Sequence, residues 1–177
     1  MAKKPAPAKT ASKIKAAPRL STQTDLSNNA IPEIAEALNG LVADSYALYT
    51  KTKNFHWHVS GPHFRDYHLL FDEQATEIFA TIDELAERVR KLGARTIHSI
   101  GEIAKLQTIK DNDRDYVAPG DMLVELMNDN KLVIKRMRAA HEIADRHEDV
   151  ATASILENFI DAAEKRNWFL FEASRKG

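Results

Sequence analysis

Cysteine is absent from this chain of 177 residues. That excludes disulfides, thiolate metal centres such as zinc ribbons and iron–sulfur clusters, and a cysteine nucleophile. It suits a reducing compartment. No apolar run approaches the ~20 residues needed to span a bilayer. Residues 1–20 lack the apolar stretch of a secretory signal. Strand signals and repeats of solenoid length are missing as well. The expectation is one domain, or one domain plus a tail, long enough to bury a core without staples.

Acids are also missing from the first 20 residues, MAKKPAPAKTASKIKAAPRL, which carry Lys3, Lys4, Lys9, Lys13, Lys15 and Arg19. The whole chain has a net charge of −1, so removing this +6 segment leaves −7 for the remainder. Three of the six prolines (Pro5, Pro7, Pro18) fall here too, with little but alanine between the charges. Such a stretch cannot bury enough apolar surface to offset its ordering entropy. Residues 1–25 therefore read as a disordered basic arm on an acidic body, 26–177. A basic arm reaches polyanions, because each neutralised phosphate releases counterions. A solubility tail, or an arm folded onto its own acidic body, fits the same composition. A mitochondrial transit peptide fits less well, given the prolines and the excess of Lys over Arg.

The body predicts four helices. From about Ala30 to Ser60, Ile31, Ile34, Leu38, Leu41, Val42 and Tyr49 recur at helical spacing. Ser27 or Asn28 is positioned to cap this helix, with Pro32 tolerated in its first turn. Gly61-Pro62 breaks it. A second helix from Pro62 to about Leu92 carries Phe71, Ala75, Ile78, Ile82, Leu85, Val89 and Leu92, alternating steps of four and three, the seam of a packed bundle. Gly93 ends it. Residues 94–118, with DNDRD at 111–115, read as a crossover with room for a short helix around Ile100–Leu106. A third long helix follows Pro119-Gly120 with Leu123, Met127, Ile134 and Met137. A fourth runs from about Asp149, with Leu156, Ile160, Ala163, Trp168 and Phe169. Two hairpins joined by one long crossover make an all-α, ferritin-like four-helix bundle.

The second helix carries the chemistry. With His68 at zero, Asp72 lies at about 40°, Phe79 at about 20°, Asp83 at about 60° and Glu87 at about 100° on the helical wheel. They share one face beside the apolar seam. Carboxylate oxygen and imidazole nitrogen suit iron, manganese or zinc and disfavour copper(I). Yet His68 and Glu87 are separated by about 28 Å along the axis, so one metal cannot touch both within one helix. They converge if two copies of the helix pack antiparallel about a two-fold axis, the commonest pairing of soluble chains. The spacing points to a site between subunits. Neither a Glu-x-x-His pair nor HExxH is present. The first helix ends in NFHWHVSGPHF, where His56, His58 or His63 is available to complete the site. Any one of these histidines is equally read as a surface or capping residue, and His68 with Asp72 as a surface pair.

Residues 51–93, KTKNFHWHVSGPHFRDYHLLFDEQATEIFATIDELAERVRKLG, resemble the signature stretch of the Dps proteins, the mini-ferritins also called DNA-binding proteins from starved cells. The specific parts are TKNFHW at 52–57, H-x-x-x-D at 68–72 and DELAER at 83–88; WFLFEA at 168–173 extends the likeness. The resemblance implies a homo-oligomer, a hollow dodecamer, with a ferroxidase site for two irons at each two-fold interface. His56, His68 and Asp72 would come from one subunit, and Asp83 and Glu87 from its neighbour. It implies oxidation of Fe(II) with hydrogen peroxide, ferric storage inside the shell, and protection of DNA. Zinc and manganese are possible substitutes for iron. Trp57 matches a tryptophan credited with trapping stray oxidising equivalents; packing is its other reading. Family pores are lined by acids near the start of the last helix, where this chain has Glu148, Asp149, Glu157 and Asp161, in a spacing that departs from the family's. His58 and His63 inherit no role. The resemblance also implies a cytoplasmic, nucleoid-associated protein whose lysine-rich arm binds DNA without sequence preference. Two other readings stand beside it: a nucleoid-compacting protein with a structural metal site, and a helical partner-binding module with surface His/Asp pairs.

Overall fold

The computed structural model describes residues 18–175. Among them are five α-helices, a single 3-10 turn at Pro18–Leu20, and no strand. Helix α1 (Ala30–His58) and α2 (Phe64–Lys91) form one antiparallel hairpin; α4 (Pro119–Arg146) and α5 (Val150–Ser174) form the other. The crossover between them carries α3 (Ile100–Leu106), which lies on α1. The main contact between the hairpins is α1 against α4. This is the all-α architecture expected from the sequence, with the short helix in the crossover at the expected place.

Every residue of the predicted α2 seam, from Phe71 to Leu92, is buried. Ile34, Leu38, Leu41 and Val42 of α1, Leu123 and Met137 of α4, and Leu156 of α5 meet it in one core, and Ala163 of α5 is buried too. Trp168 and Phe169 differ: both have helical spacing, yet both are exposed on the single chain. At the start of α1 the N-cap position is Asn29 rather than Ser27 or Asn28, and its side chain makes no cap bond; Ser27 Oγ, two residues earlier, accepts from the Ala30 amide at 3.3 Å. The break between α1 and α2 is wider than Gly61-Pro62 alone, because α1 stops at His58 and α2 begins at Phe64.

Gly93 ends α2 in a left-handed conformation (φ 78°). Its amide bonds to the Arg90 carbonyl at 2.9 Å, and that of Ala94 to Val89 at 3.2 Å. This is the Schellman arrangement. A side chain at 93 would also strike the Thr22 backbone, 2.8 Å from where its Cβ would sit. Thr22 donates to the Arg90 carbonyl, and Arg90 donates to the Leu20 carbonyl at 2.9 Å. The segment 20–22 is thus held against the end of α2. Arg19, just before it, is exposed. The assignments to Lys3, Lys4, Lys9, Lys13 and Lys15 lie outside the described residues.

The hairpins are latched through Asp44, which is fully buried in α1. It accepts from Arg136 of α4 and from the amide and hydroxyl of Thr108 in the crossover. Arg136 reaches it across Gly40, whose missing side chain leaves room for the guanidinium.

Asp149 is buried at the α4–α5 turn. It caps α5 by accepting from the Thr152 amide at 3.1 Å, and takes a 2.6 Å hydrogen bond from Arg88 of α2. Burial pushes its carboxyl up, but the bonds from Arg88 and Thr152 outweigh burial and hold it below its ordinary value. A lowered native pKa stabilises the fold at neutral pH, and that contribution is lost as pH falls through the native value. Asp149→Asn is expected to lose about 2 kcal/mol at neutral pH, as for a hydrogen bond to a charged group. Urea unfolding should show the gap from the unsubstituted protein closing as pH drops below ~4.

Candidate metal centre

The turn from α1 into α2 sets His56 beside His68. Their rings stack with centroids 3.8 Å apart and planes 24° from parallel. Each ring is tied to the other helix: His56 Nδ1 lies 2.8 Å from the His68 carbonyl oxygen, and His68 Nδ1 lies 2.8 Å from that of His56. A carbonyl only accepts, so both Nδ1 atoms carry their protons. The neutral imidazole then has its lone pair on Nε2, the atom free to bind a metal. Fixing the tautomer through Nδ1–H···O=C is how metal-binding histidines are oriented.

Asp72 stands one turn beyond His68, with Oδ1 3.8 Å from His56 Nε2. The same oxygen accepts a 2.6 Å hydrogen bond from Lys53 Nζ of α1. That bond, opposed by a smaller burial effect and helped by the charge of Lys53 and the two histidines, holds the Asp72 carboxyl below its ordinary value. Two imidazole nitrogens and one carboxylate make a hard-to-borderline donor set that fits Fe(II), Mn(II) or Zn(II). Phe64 covers one flank, its ring 5.1 Å from His68.

Asp83 and Glu87 are not brought to this cluster. Both are exposed farther along α2. Asp83 borders a groove of about 670 Å³ walled by Tyr46, Phe79, Ile82, Ile97 and Ile100. Glu87 pairs with Lys91 at 3.3 Å. Among the described residues no three His, Asp or Glu side chains of one chain are set to hold an ion by themselves. Trp57 is 62% exposed and so takes no part in the chain's own core. His58 and His63 stay apart from the pair: His58 Nδ1 donates to the Asn54 carbonyl at 2.8 Å, and His63 sits at the start of α2 beside Tyr67. Of the acids near the last helix, Asp149 is committed to its cap and Arg88, while Glu148, Glu157 and Asp161 are exposed. Glu157 accepts from His141 at 3.0 Å.

Sequence reasoning missed Lys53. It lies three residues before His56 and four before Trp57, spacings that put all three on one helix face. That periodicity was the signal available. Lys53 Nζ lies 5.8 Å from the Trp57 ring centroid, within reach of a cation–π contact.

The paired histidines are expected to show a protonated Nδ1 on both rings in ¹⁵N spectra of metal-free protein. An unprotonated Nδ1 on either ring would contradict the reciprocal bonding.

The family model for the ferritin-like domain matches residues 35–176. The DNA protection during starvation protein 2 of Bacillus anthracis is 33% identical over 138 residues, spanning 78% of this chain and 94% of that one. Its counterpart in Brevibacillus brevis is 35% identical over 137 residues, 77% of this chain and 91% of that one. Among solved structures, Dps of Thermosynechococcus elongatus superposes with a TM-score of 0.81 at 32% identity, covering 84% of this chain and 94% of that one. The Dps protein of Vibrio cholerae O1, described as a member of a broad superfamily of ferritin-like diiron-carboxylate proteins, gives 0.83 at 28% identity, covering 88% and 98%.

Proposed function

The chain belongs to the Dps family of ferritin-like proteins, and we propose that it is a ferroxidase and iron store that oxidises Fe(II) at sites shared between two subunits. The observation that carries this reading is a half-site. His56 and His68 stack with both Nδ1 atoms committed to reciprocal bonds, and His56 Nε2 lies 3.8 Å from Asp72 Oδ1. The two other acids, Asp83 and Glu87, stand exposed on the same helix and out of reach. Antiparallel pairing of two α2 helices brings each half-site to the acids of the second copy. Phe79, midway between the two sets, is 53% exposed and available for such a contact.

Iron is the substrate here. Two Fe(II) each give up one electron, and one hydrogen peroxide accepts both while its O–O bond breaks and two protons from solvent are taken up, yielding two Fe(III) and two waters. Few ligands leave positions open for the oxidant. Oxygen donors stabilise Fe(III) and let it move on to a ferric store inside a dodecameric shell. The acidic body draws cations inward. Trp57, at the rim beside Lys53, is placed to absorb a stray oxidising equivalent. Zinc and manganese are expected to compete for the same donors.

Replacing His56 and Asp72 together with Leu is expected to abolish peroxide-driven Fe(II) oxidation, followed by absorbance of ferric product. Light scattering should show the assembly intact. Unchanged oxidation would move the chemistry elsewhere and favour a compacting protein with a structural metal site, whereas a monomeric mass would favour a simple partner-binding module.

The basic arm extends the proposal to DNA. Lys3, Lys4, Lys9, Lys13, Lys15 and Arg19 in each of many subunits give avidity from weak phosphate contacts. No sequence preference follows, because nothing reads base edges. On this reading the protein acts at the nucleoid in the cytoplasm. Deleting residues 2–19 should remove gel retardation of DNA at low salt. A truncated protein that still shifts DNA would place binding on the body.

A further inference from the structure

Two features of the α1–α2 hairpin are each unmatched within the chain. Trp57, beside the turn, is 62% exposed. Toward the other end lies the groove of about 670 Å³ between α2 and the crossover, floored by Val42 and Tyr46 of α1 and walled by Ile82, Ala86 and Ile97. Helical spacing puts Trp57 within about 20° of Tyr46 around α1, so the indole and the groove floor share a face. Pairing Asp72 with Asp83 and His68 with Glu87 places the two-fold axis between Glu77 and Ile78 on α2. Tyr49 packs on Phe79 with ring centroids 5.1 Å apart, which brings that axis close to Tyr49 on α1. From Tyr49, Trp57 lies about 12 Å along α1 in one direction; the same distance in the other direction reaches Leu41, next to Val42 on the groove floor. A two-fold rotation therefore carries the indole of one copy onto the groove of the other. We propose that this groove is the seat of Trp57 from a second copy, and that two reciprocal seats anchor the subunit pair. The seat rests on the shared-site reading above and names the contact that holds that site together. Its chemistry suits an indole: apolar walls take the ring, and Asp83 and Ser99 on its border are acceptors for the single N–H. Tryptophan in a water-excluding pocket is typical of the few side chains that dominate an interface, and the symmetry uses it twice. Trp57 follows His56 directly, and Asp83 borders the groove. Seating the indole thus draws the histidines of one copy to the acids of the other, which makes Trp57 a positioning residue.

The chain has two tryptophans, so Trp168→Phe leaves Trp57 as the only indole. In that full-length variant, Trp57 emission is expected to be blue-shifted and shielded from acrylamide while subunits are paired, and to become open to quenching when dilution separates them. Trp57→Ala spares the fold, because the side chain is exposed on the single chain. It should raise the dissociation constant of the pair about thirtyfold by sedimentation. Ala86→Phe, which fills the groove, should weaken pairing similarly and expose Trp57 to acrylamide. Combining it with Trp57→Ala should cost little more than either change alone, since an empty seat loses nothing by being filled. Paired subunits with Trp57 open to quencher, a shielded Trp57 indifferent to Ala86→Phe, or additive losses in the double variant would each overturn the seat and leave the shared site standing. A monomeric mass for the unsubstituted protein would remove the shared site and the seat with it.

Discussion

Two imidazoles, each donating to the backbone carbonyl of the other's helix, tie α1 to α2 at a single hairpin turn. The paired bonds from His56 and His68 fix both tautomers, and they also fix the register of α1 against α2. A shift of one residue between the helices would break both at once. The same register sets Lys53 on Asp72 near the turn and Thr81 against Ser45 farther down the hairpin. The proposed metal ligation and the helix packing therefore draw on one set of contacts. The proposed ligands need no separate scaffold.

Charge inside the bundle is handled with similar economy. Buried Lys51 of α1 meets Asp129 at 2.7 Å and Glu125 at 3.1 Å on α4. Burial pushes the Asp129 carboxyl above its ordinary value, although Lys51 donates to it. Buried Arg166 of α5 donates to Asn130 and faces Glu77 of α2, while Gln74 donates to the Arg166 carbonyl. Such pairs add little net stability over apolar contacts but are expensive to leave half-made. Their effect is to choose one alignment of helices among several that the apolar seam alone would accept. Among the described residues, Asn167 Oδ1 is the one buried side-chain polar atom without a partner.

The helices were legible because their seams are periodic, and α2 most of all. Its four-and-three spacing names the buried face residue by residue, and its Gly93 marks the end. The distribution of acids and histidines along α2 was legible too, since helical rise alone keeps His68 from Glu87. Three things were not. Asp149 looks in sequence like one acid in an acidic stretch, and only its neighbour Arg88, 61 residues away, makes it a buried cap. Trp168 and Phe169 keep helical spacing but face outward, because periodicity fixes which residues share a face and not what covers it. Lys53 lies in plain view in the signature stretch, yet its importance depends on Asp72 across the turn. For Asp149 and Lys53 the missing information is a contact between distant parts of the chain.

The latch between the hairpins has a cost written into α1. Glycine in the middle of a helix is destabilising by roughly 0.5–1 kcal/mol relative to alanine, and Gly40 sits ten residues into α1. The vacancy it leaves is the passage through which Arg136 reaches Asp44. The point where α1 is intrinsically weakest is thus the point where α4 and the crossover hold it most firmly. Local fraying of the helix and separation of the two hairpins become one event, so this stretch of α1 opens only when the bundle does.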